Sequence, residues 1–80
     1  MILNIKYFGV LAELTKKKEE QLVLEEPNMT VNSFKSKMES AYQEMQSVSY
    51  TIAVNQAIAG VDTTLNDQDV IAFLPPYAGG

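Results

Sequence analysis

The stretch VIAFLPPYAGG, residues 70–80, contains an apolar run that stops abruptly at two consecutive prolines. Pro75 and Pro76 have a fixed φ angle and no N–H group, so neither can continue the hydrogen-bonded ladder of a sheet. The apolar residues before them alternate between two faces, which predicts a strand. We therefore predict a folded domain over residues 1–74, followed by an extended, flexible tail over residues 75–80.

The opening residues ILNIKYF, numbered 2–8, alternate in the same way. Leu3, Ile5 and Tyr7 fall on one face of this strand, which we take as the core face. The first and last strands are the most apolar in the chain, which is typical of strands at the centre of a sheet. We expect these two strands to lie side by side and to run parallel.

The residues between these strands predict one main helix and several shorter elements. Thr30 is a typical N-cap residue, and apolar residues recur at helical spacing after it, so the main helix is predicted over residues 31–45. The other predicted elements are a short helix at 9–15, a solvated loop at 16–20, and strands at 21–26, 50–54 and 57–60, the last two joined by an Asn-Gln turn. One main helix on a mixed sheet of four or five strands is a two-layer α+β domain.

The composition excludes several kinds of chemistry. The 80-residue chain has no cysteine and no histidine, so it offers no disulfide, no zinc site and no Ser-His or Cys-His catalytic pair. Six lysines and no arginine leave a net charge of −4, which disfavours nucleic acid as a partner. No segment reaches the roughly 18 apolar residues of a membrane span, and no signal peptide is recognisable. We expect a cytoplasmic protein that binds no membrane.

Three aspartates lie close together in the sequence before the last strand. Asp62, Asp67 and Asp69 could be interpreted as oxygen ligands, but they lack the spacing and the final glutamate of a calcium loop. Aspartate and asparagine favour turns because their side chains bond to the nearby backbone. We therefore predict a turn here and no metal site.

The tail can reach well beyond the domain. The residues from Pro75 to Gly80 span at most about 20 Å when fully extended. Gly79 and Gly80 have no Cβ, so they fit a channel too narrow for other residues. Composition alone leaves two interpretations open, a frayed end that happens to be glycine and a terminus that enters the active site of another protein.

The pattern of the chain resembles a known family. LNDQDVIAFLPPYAGG at residues 65–80, VNQ at 54–56 and KYFGVLAEL at 6–14 are similar to the ubiquitin-like sulfur carriers, and most of all to small subunits of molybdopterin synthases. The resemblance spans essentially the whole chain and implies a β-grasp (ubiquitin-like) fold. Gln68 departs from the glycine usual in that family, and Tyr77 is bulkier than the usual residue.

The resemblance implies that the chemistry takes place at Gly80. A partner enzyme that uses ATP and Mg²⁺ would adenylate the Gly80 carboxylate, and sulfur would then replace AMP to give a thiocarboxylate. The large subunit of molybdopterin synthase, in a heterotetramer, would take up the tail and pass the sulfur to a pterin precursor. The chain would bind no cofactor and would not be catalytic alone. The residues expected to insert into the partner are Pro75, Pro76, Tyr77, Ala78 and Gly79.

Apolar residues that the predicted core does not use indicate a docking surface. Phe8, Ile58 and Leu74 are assigned to faces that point away from the main helix, near the start of the tail. An exposed apolar patch beside a functional segment is typical of a protein interface. We expect these three residues to contact the partner.

Three alternatives share parts of this interpretation. A sulfur carrier for thiamine synthesis has a similar fold and tail, and a ubiquitin-like protein modifier shares the adenylation step. The third alternative is a non-catalytic interaction module with the same fold and a chemically inert end. Removal of Gly80 distinguishes the last one, because an interaction module would keep its function.

Overall fold

The structure is a computed structural model that describes residues 1–76. Within that range it contains five strands, two α-helices and one 3₁₀ helix. The strands are β1 (Ile2–Tyr7), β2 (Glu19–Val23), β3 (Thr51–Val54), β4 (Ala57–Ile58) and β5 (Val70–Leu74). The helices are α1 (Val10–Thr15), α2 (Val31–Ala41) and the 3₁₀ helix (Gln43–Ser47).

The strands form one mixed sheet in the order β2-β1-β5-β3-β4. β1 and β5 are neighbours and run parallel, with Ile5 opposite Ile71 and Tyr7 opposite Phe73. All other pairs are antiparallel. The predicted parallel pairing of the first and last strands is therefore confirmed, and the predicted sheet of four or five strands has five.

The core lies between α2 and one face of the sheet, which we call the inner face; the opposite face is the outer face. Strand alternation sends every second side chain to the core, and the last strand shows this clearly, because Ile71 and Phe73 are fully buried while their neighbours are half-buried. The largest fully buried side chains are Phe34, Phe73, Leu3, Ile5, Leu11, Met45 and Ile71.

The main helix begins where predicted and ends earlier. The Thr30 hydroxyl accepts a hydrogen bond of 3.2 Å from the backbone N–H of Ser33, as expected of an N-cap. The predicted end at residue 45 is wrong, because α2 ends at Ala41 and a 3₁₀ helix follows. Met45 is nevertheless buried, so the apolar residue stays in the core although the backbone changes its helix type.

The second strand is shifted from its predicted position at 21–26. It starts at Glu19, inside the predicted loop, and ends at Val23. The charged residues join the strand because β2 is an edge strand and its outward side remains solvated. The carboxylate of Glu20 also finds hydrogen-bond donors on the inner face, which are described below.

The hairpin after β3 has the predicted Asn-Gln turn. Asn55 and Gln56 have φ angles of 51° and 71°, the two positive values of a type I′ turn. β4 is only two residues long, shorter than the predicted strand at 57–60. The two-residue strand leaves Ile58 on the outer face, opposite Ala53.

Candidate functional site

The start of the tail is held by an aromatic cluster in the core. The ring of Phe73 stacks on Tyr7 with centroids 5.5 Å apart, and it contacts Phe34 at 6.0 Å and Tyr50 at 5.5 Å. Its carbonyl oxygen accepts a hydrogen bond of 3.1 Å from the N–H of Phe8. Because Phe73 lies two residues before the prolines, the rigid part of the molecule extends to the point where the tail begins.

The prolines mark where the chain leaves the domain. Pro75 is buried and Pro76 is exposed. The exit point is therefore fixed within one residue, at the end of a central strand. Four of the predicted tail residues, Tyr77, Ala78, Gly79 and Gly80, lie outside the described residues.

The predicted docking residues lie on the outer face. Phe8 is 45% exposed and Ile58 is 69% exposed, whereas Leu74 is half-buried. Since Tyr7 is opposite Phe73 in the parallel pair, Phe8 comes next to Leu74. The structure thus brings Phe8 and Leu74 together at the exit of the tail.

Ile58 is joined to this pair through small residues. It lies opposite Ala53, which lies opposite Ala72 on β5, two positions before Leu74. We call the surface formed by Phe8, Ala53, Ile58, Ala72 and Leu74 the outer patch. The outer patch crosses β4, β3 and β5 and reaches Phe8, the residue after β1. Ala53 is itself buried, so the large apolar side chains lie at the two ends of the patch, with Ile58 at one end and Phe8 and Leu74 at the other, where the tail begins.

The predicted turn before β5 is built by its aspartates. Asp67 accepts a 2.6 Å hydrogen bond from the N–H of Ile2. Asp69 is buried and accepts bonds of 2.9 Å from the Asn55 side chain and 2.7 Å from the N–H of Asn66. The interpretation of Asp67 and Asp69 as turn residues is confirmed, since each carboxylate is engaged by the backbone or by a neighbouring side chain.

Asp62 and Gln68 belong to the same segment. Asp62 is exposed. Gln68 has a φ of 71°, so it takes up the left-handed conformation that favours glycine. Across residues 1–76, no group of three or more His, Cys, Asp or Glu side chains is arranged to hold a metal ion.

A polar cluster on the inner face was not predicted from the sequence. The Glu20 carboxylate accepts hydrogen bonds from the hydroxyl of Tyr7, from the hydroxyl of Tyr42 at 2.8 Å and from Nζ of Lys17 at 3.1 Å. Nζ of Lys17 also donates to the Tyr42 hydroxyl at 3.1 Å. The cluster connects β1 and β2 to the end of α2. The one signal for it in the sequence is that Glu20 alternates with Leu22 and so belongs to the inner face.

The cluster changes the acidity of its members. Burial raises the pKa of Tyr7 above its usual value, and the hydrogen bond to Glu20 raises it further. Burial alone would also raise the pKa of Glu20, but hydrogen bonds from Tyr7, Tyr42 and Lys17 favour the carboxylate more strongly and hold that pKa below its usual value. Glu20 therefore acts as a charged acceptor that holds two phenols in place, which is a structural role.

Among the helices of residues 1–76, none is both long and apolar enough to cross a membrane.

Comparison with known proteins gives matches over almost the whole chain. A family model described as the ThiS family matches residues 5–80. The molybdopterin synthase sulfur carrier subunit of Mycobacterium tuberculosis is 30% identical over 79 residues, which covers 96% of this chain and 95% of that protein.

Two solved structures have the same architecture. A putative molybdopterin converting factor, subunit 1, from Pyrococcus furiosus has a TM-score of 0.86 at 23% identity and covers 95% of this chain and 98% of its own. A chain from the complex of subunits 1 and 2 of the molybdopterin-converting factor of Helicobacter pylori has a TM-score of 0.68 at 24% identity, with complete coverage of both chains (100% and 100%). At these identities the likeness concerns the fold, and it confirms the predicted β-grasp.

Proposed function

Because the chain belongs to the ThiS family, we propose that it is a sulfur carrier in molybdenum cofactor (molybdopterin) biosynthesis. The observation that carries this proposal is the match to a sulfur carrier subunit over 96% of the chain. The family match itself continues through the Pro-Pro and Gly-Gly block to residue 80. In this role the chain is the small subunit of a sulfur-transferring synthase and is not catalytic alone.

The proposed chemistry uses the carboxyl group of Gly80. A carboxylate is a poor acyl donor, and adenylation by a partner enzyme with ATP and Mg²⁺ turns it into an acyl-adenylate with AMP as leaving group. A sulfur nucleophile then displaces AMP and leaves a thiocarboxylate. The chain has no cysteine and no histidine, which agrees with a division of labour in which it carries the sulfur and its partners supply the catalytic groups.

The geometry at the exit of the tail suits this task. The aromatic cluster around Phe73 fixes the point of departure, and Pro76 is already exposed. From Pro76 to Gly80 the chain can reach at most about 17 Å. A partner can therefore take up the last residues in a narrow channel while the domain stays outside. Pro75 is buried against the domain, so of the residues expected to insert, those proposed to enter that channel are Pro76, Tyr77, Ala78 and Gly79.

The proposed partner for sulfur transfer is the large subunit of molybdopterin synthase. The structure from Helicobacter pylori is a complex of the two subunits of the molybdopterin-converting factor. We propose that this chain binds its large subunit in the cytoplasm, in a heterotetramer, with the outer patch as the docking surface. Phe8, Ile58 and Leu74 are the large apolar residues of this patch. Phe8 and Leu74 lie at the start of the tail, and Ile58 lies on β4, opposite Ala53.

Intact mass spectrometry tests the sulfur-carrier role directly. The chain is incubated with its adenylating enzyme, ATP, Mg²⁺ and a sulfur donor, and the expected result is a mass increase equal to the replacement of one oxygen by sulfur. Fragmentation should place the change on Gly80. The matched control is a chain with one alanine appended after Gly80, which should stay unmodified. Sulfur delivery by that extended chain without prior trimming would contradict the proposal.

A second assay separates this function from its alternatives, because a thiamine carrier and a protein modifier share the activation step. The thiocarboxylate form is mixed with the large subunit and the pterin precursor. We expect one molybdopterin to form for every two carriers consumed, because each thiocarboxylate delivers one sulfur and the dithiolene of molybdopterin holds two. Isopeptide conjugates between Gly80 and lysines of cell proteins, with no molybdopterin, would instead identify a modifier.

A further inference from the structure

One edge of the sheet is open to a second chain. β2 pairs with β1 on one side, and within residues 1–76 no strand pairs with its other side. The Lys18 carbonyl accepts a hydrogen bond from Tyr7 of β1, and both backbone groups of Leu24 bond to Met1, the residue before β1. Because backbone groups alternate along a strand, Glu19, Gln21 and Val23 direct their N–H and C=O groups outward. An open row of donors and acceptors is a template for pairing with another strand.

An apolar groove runs beside this edge on the inner face. It lies between β2 and α2, has a volume of about 170 Å³, and is lined mainly by Leu22, Leu24, Met38 and Tyr42. On the other face, Val23 is 71% exposed. A strand added to β2 would place its alternate side chains over the groove and over Val23, so apolar surface is available on both faces of the edge.

The charges at the two ends of β2 favour antiparallel pairing of two copies of this strand. Residues 16–26 read KKKEEQLVLEE, with three lysines before the strand and two glutamates after it. An antiparallel second copy brings each basic end beside the acidic end of the other, whereas a parallel copy would bring like charges together. From these three features we propose that two copies of this chain form a weak, concentration-dependent dimer by antiparallel pairing of β2 with β2.

Two features determine which residues of the two β2 strands lie opposite each other: the outward backbone groups and the charged side chains. With a two-fold axis at Gln21, the two Gln21 residues exchange hydrogen bonds, and Glu19 bonds to Val23 of the second copy. Shifting the axis to Leu22 would set Glu19 against Glu25 of the second copy, which is unfavourable. In the Gln21 register, Leu22 of the second copy lies opposite Glu20 on the inner face, beside the groove. Such a short contact belongs to the small, weak class of interfaces.

The dimer leaves the proposed sulfur-carrier surfaces free. β2 lies at one side of the sheet, and β1 separates it from β5, which carries the tail. Edge pairing extends the sheet sideways and leaves the outer patch uncovered. The inference therefore does not depend on the proposed function, and either can fail without the other.

Sedimentation velocity of the full chain over micromolar to millimolar concentrations tests the dimer. We expect the weight-average sedimentation coefficient to rise with concentration, and to rise less at high salt because the charged ends are screened. Gln21→Pro removes an outward N–H that bonds to nothing in β1, and its matched control Gln21→Ala keeps that N–H. Gln21→Pro should weaken association at least about tenfold, since each dimer loses two central hydrogen bonds.

Charge variants test the same dimer without removing a backbone hydrogen-bond donor. In the Gln21 register Lys16 comes opposite Glu26 of the second copy, so Lys16→Glu and Glu26→Lys should each weaken association because each sets like charges against one another at both ends of the pair. The double variant carrying both changes should restore it. Phe8→Ala, which alters only the outer patch, should leave the dimer unchanged. A chain that stays monomeric at millimolar concentration would overturn the proposal, and so would association that Gln21→Pro leaves intact.

Discussion

The two faces of the sheet differ in what their apolar residues do. On the inner face, Tyr7 and Phe73 stack on each other and are almost completely buried. One position further along the chain in each case, Phe8, just after β1, and Leu74, at the end of β5, lie on the outer face, where Phe8 is 45% exposed. The same two strands thus provide stability on one side and a surface for a partner on the other. Substitutions on the inner face should therefore lower the stability of the domain, whereas substitutions of adjacent residues on the outer face should lower its affinity for the partner.

The largest expected effect is on the inner face. Phe73→Ala removes the central ring of the aromatic cluster and should lower the free energy of unfolding by about 3–5 kcal/mol. Equilibrium denaturation in urea measures this loss. Phe73→Leu, which keeps most of the volume, is the control and should cost clearly less. If Phe73→Ala cost no more than an exposed substitution, the aromatic cluster would not be what fixes the start of the tail.

The next effect is on the outer face and should appear in binding. Phe8→Ala should weaken affinity for the large subunit by about 2 kcal/mol, as expected for a central interface residue, while the free energy of unfolding changes little. Isothermal titration calorimetry measures the affinity. Val23→Ala is a matched control, because Val23 is also exposed on the outer face but lies on the edge strand β2. Unchanged affinity for both Phe8→Ala and Leu74→Ala would rule out the outer patch as the docking surface.

A smaller effect is expected in the polar cluster around Glu20 on the inner face. Glu20→Gln replaces the charged acceptor for Tyr7, Tyr42 and Lys17, and should cost about 1–2 kcal/mol at neutral pH. The pKa of Glu20 is lowered in the folded state, so its contribution is present above the unfolded value of 4.5 and is lost as pH falls through the folded pKa. The difference between the two proteins should therefore shrink below about pH 4. A difference that stays constant with pH would contradict the role of the charge.

The smallest expected effect is a gain in stability at the turn before β5. Gln68 has a φ of 71°, a conformation that costs a residue with a side chain roughly 1 kcal/mol. Gln68→Gly should raise the free energy of unfolding by about 0.5–1 kcal/mol, less than the full strain because glycine loses more backbone entropy. Thermal unfolding by circular dichroism detects the change. Gln68→Ala is the control and should bring no gain, since alanine is strained at this φ as well.

The sequence predicted features that capping residues and apolar patterns determine, and it missed features for which those patterns are ambiguous or silent. Thr30 identified the start of α2, because an N-cap bond spans only three residues. The parallel pairing of β1 and β5 followed from their apolar content. The end of α2 was missed because apolar residues at positions 42 and 45 continue a spacing that both an α-helix and a 3₁₀ helix can satisfy.

The polar cluster shows the other limit. Glu20, Tyr7 and Tyr42 come from two strands and a helix end, and only the folded chain brings them together. The run of charges at residues 16–20 predicted a loop, whereas its last two residues belong to β2. For the candidate site, alternation was sufficient to assign Phe8 and Leu74 to the outer face. The chemistry proposed for Gly80 came from the resemblance of the carboxyl-terminal block and not from any physical property of glycine.

The position of β5 has a mechanical consequence. The strand that continues into the tail lies between β1 and β3 and is bonded to both. A pull on the tail along the strand axis acts on both ladders in shear, so the hydrogen bonds resist together and do not open one after another. The tail of such a carrier can therefore be withdrawn from a tight channel while the domain stays folded, and the same molecule can serve in another cycle.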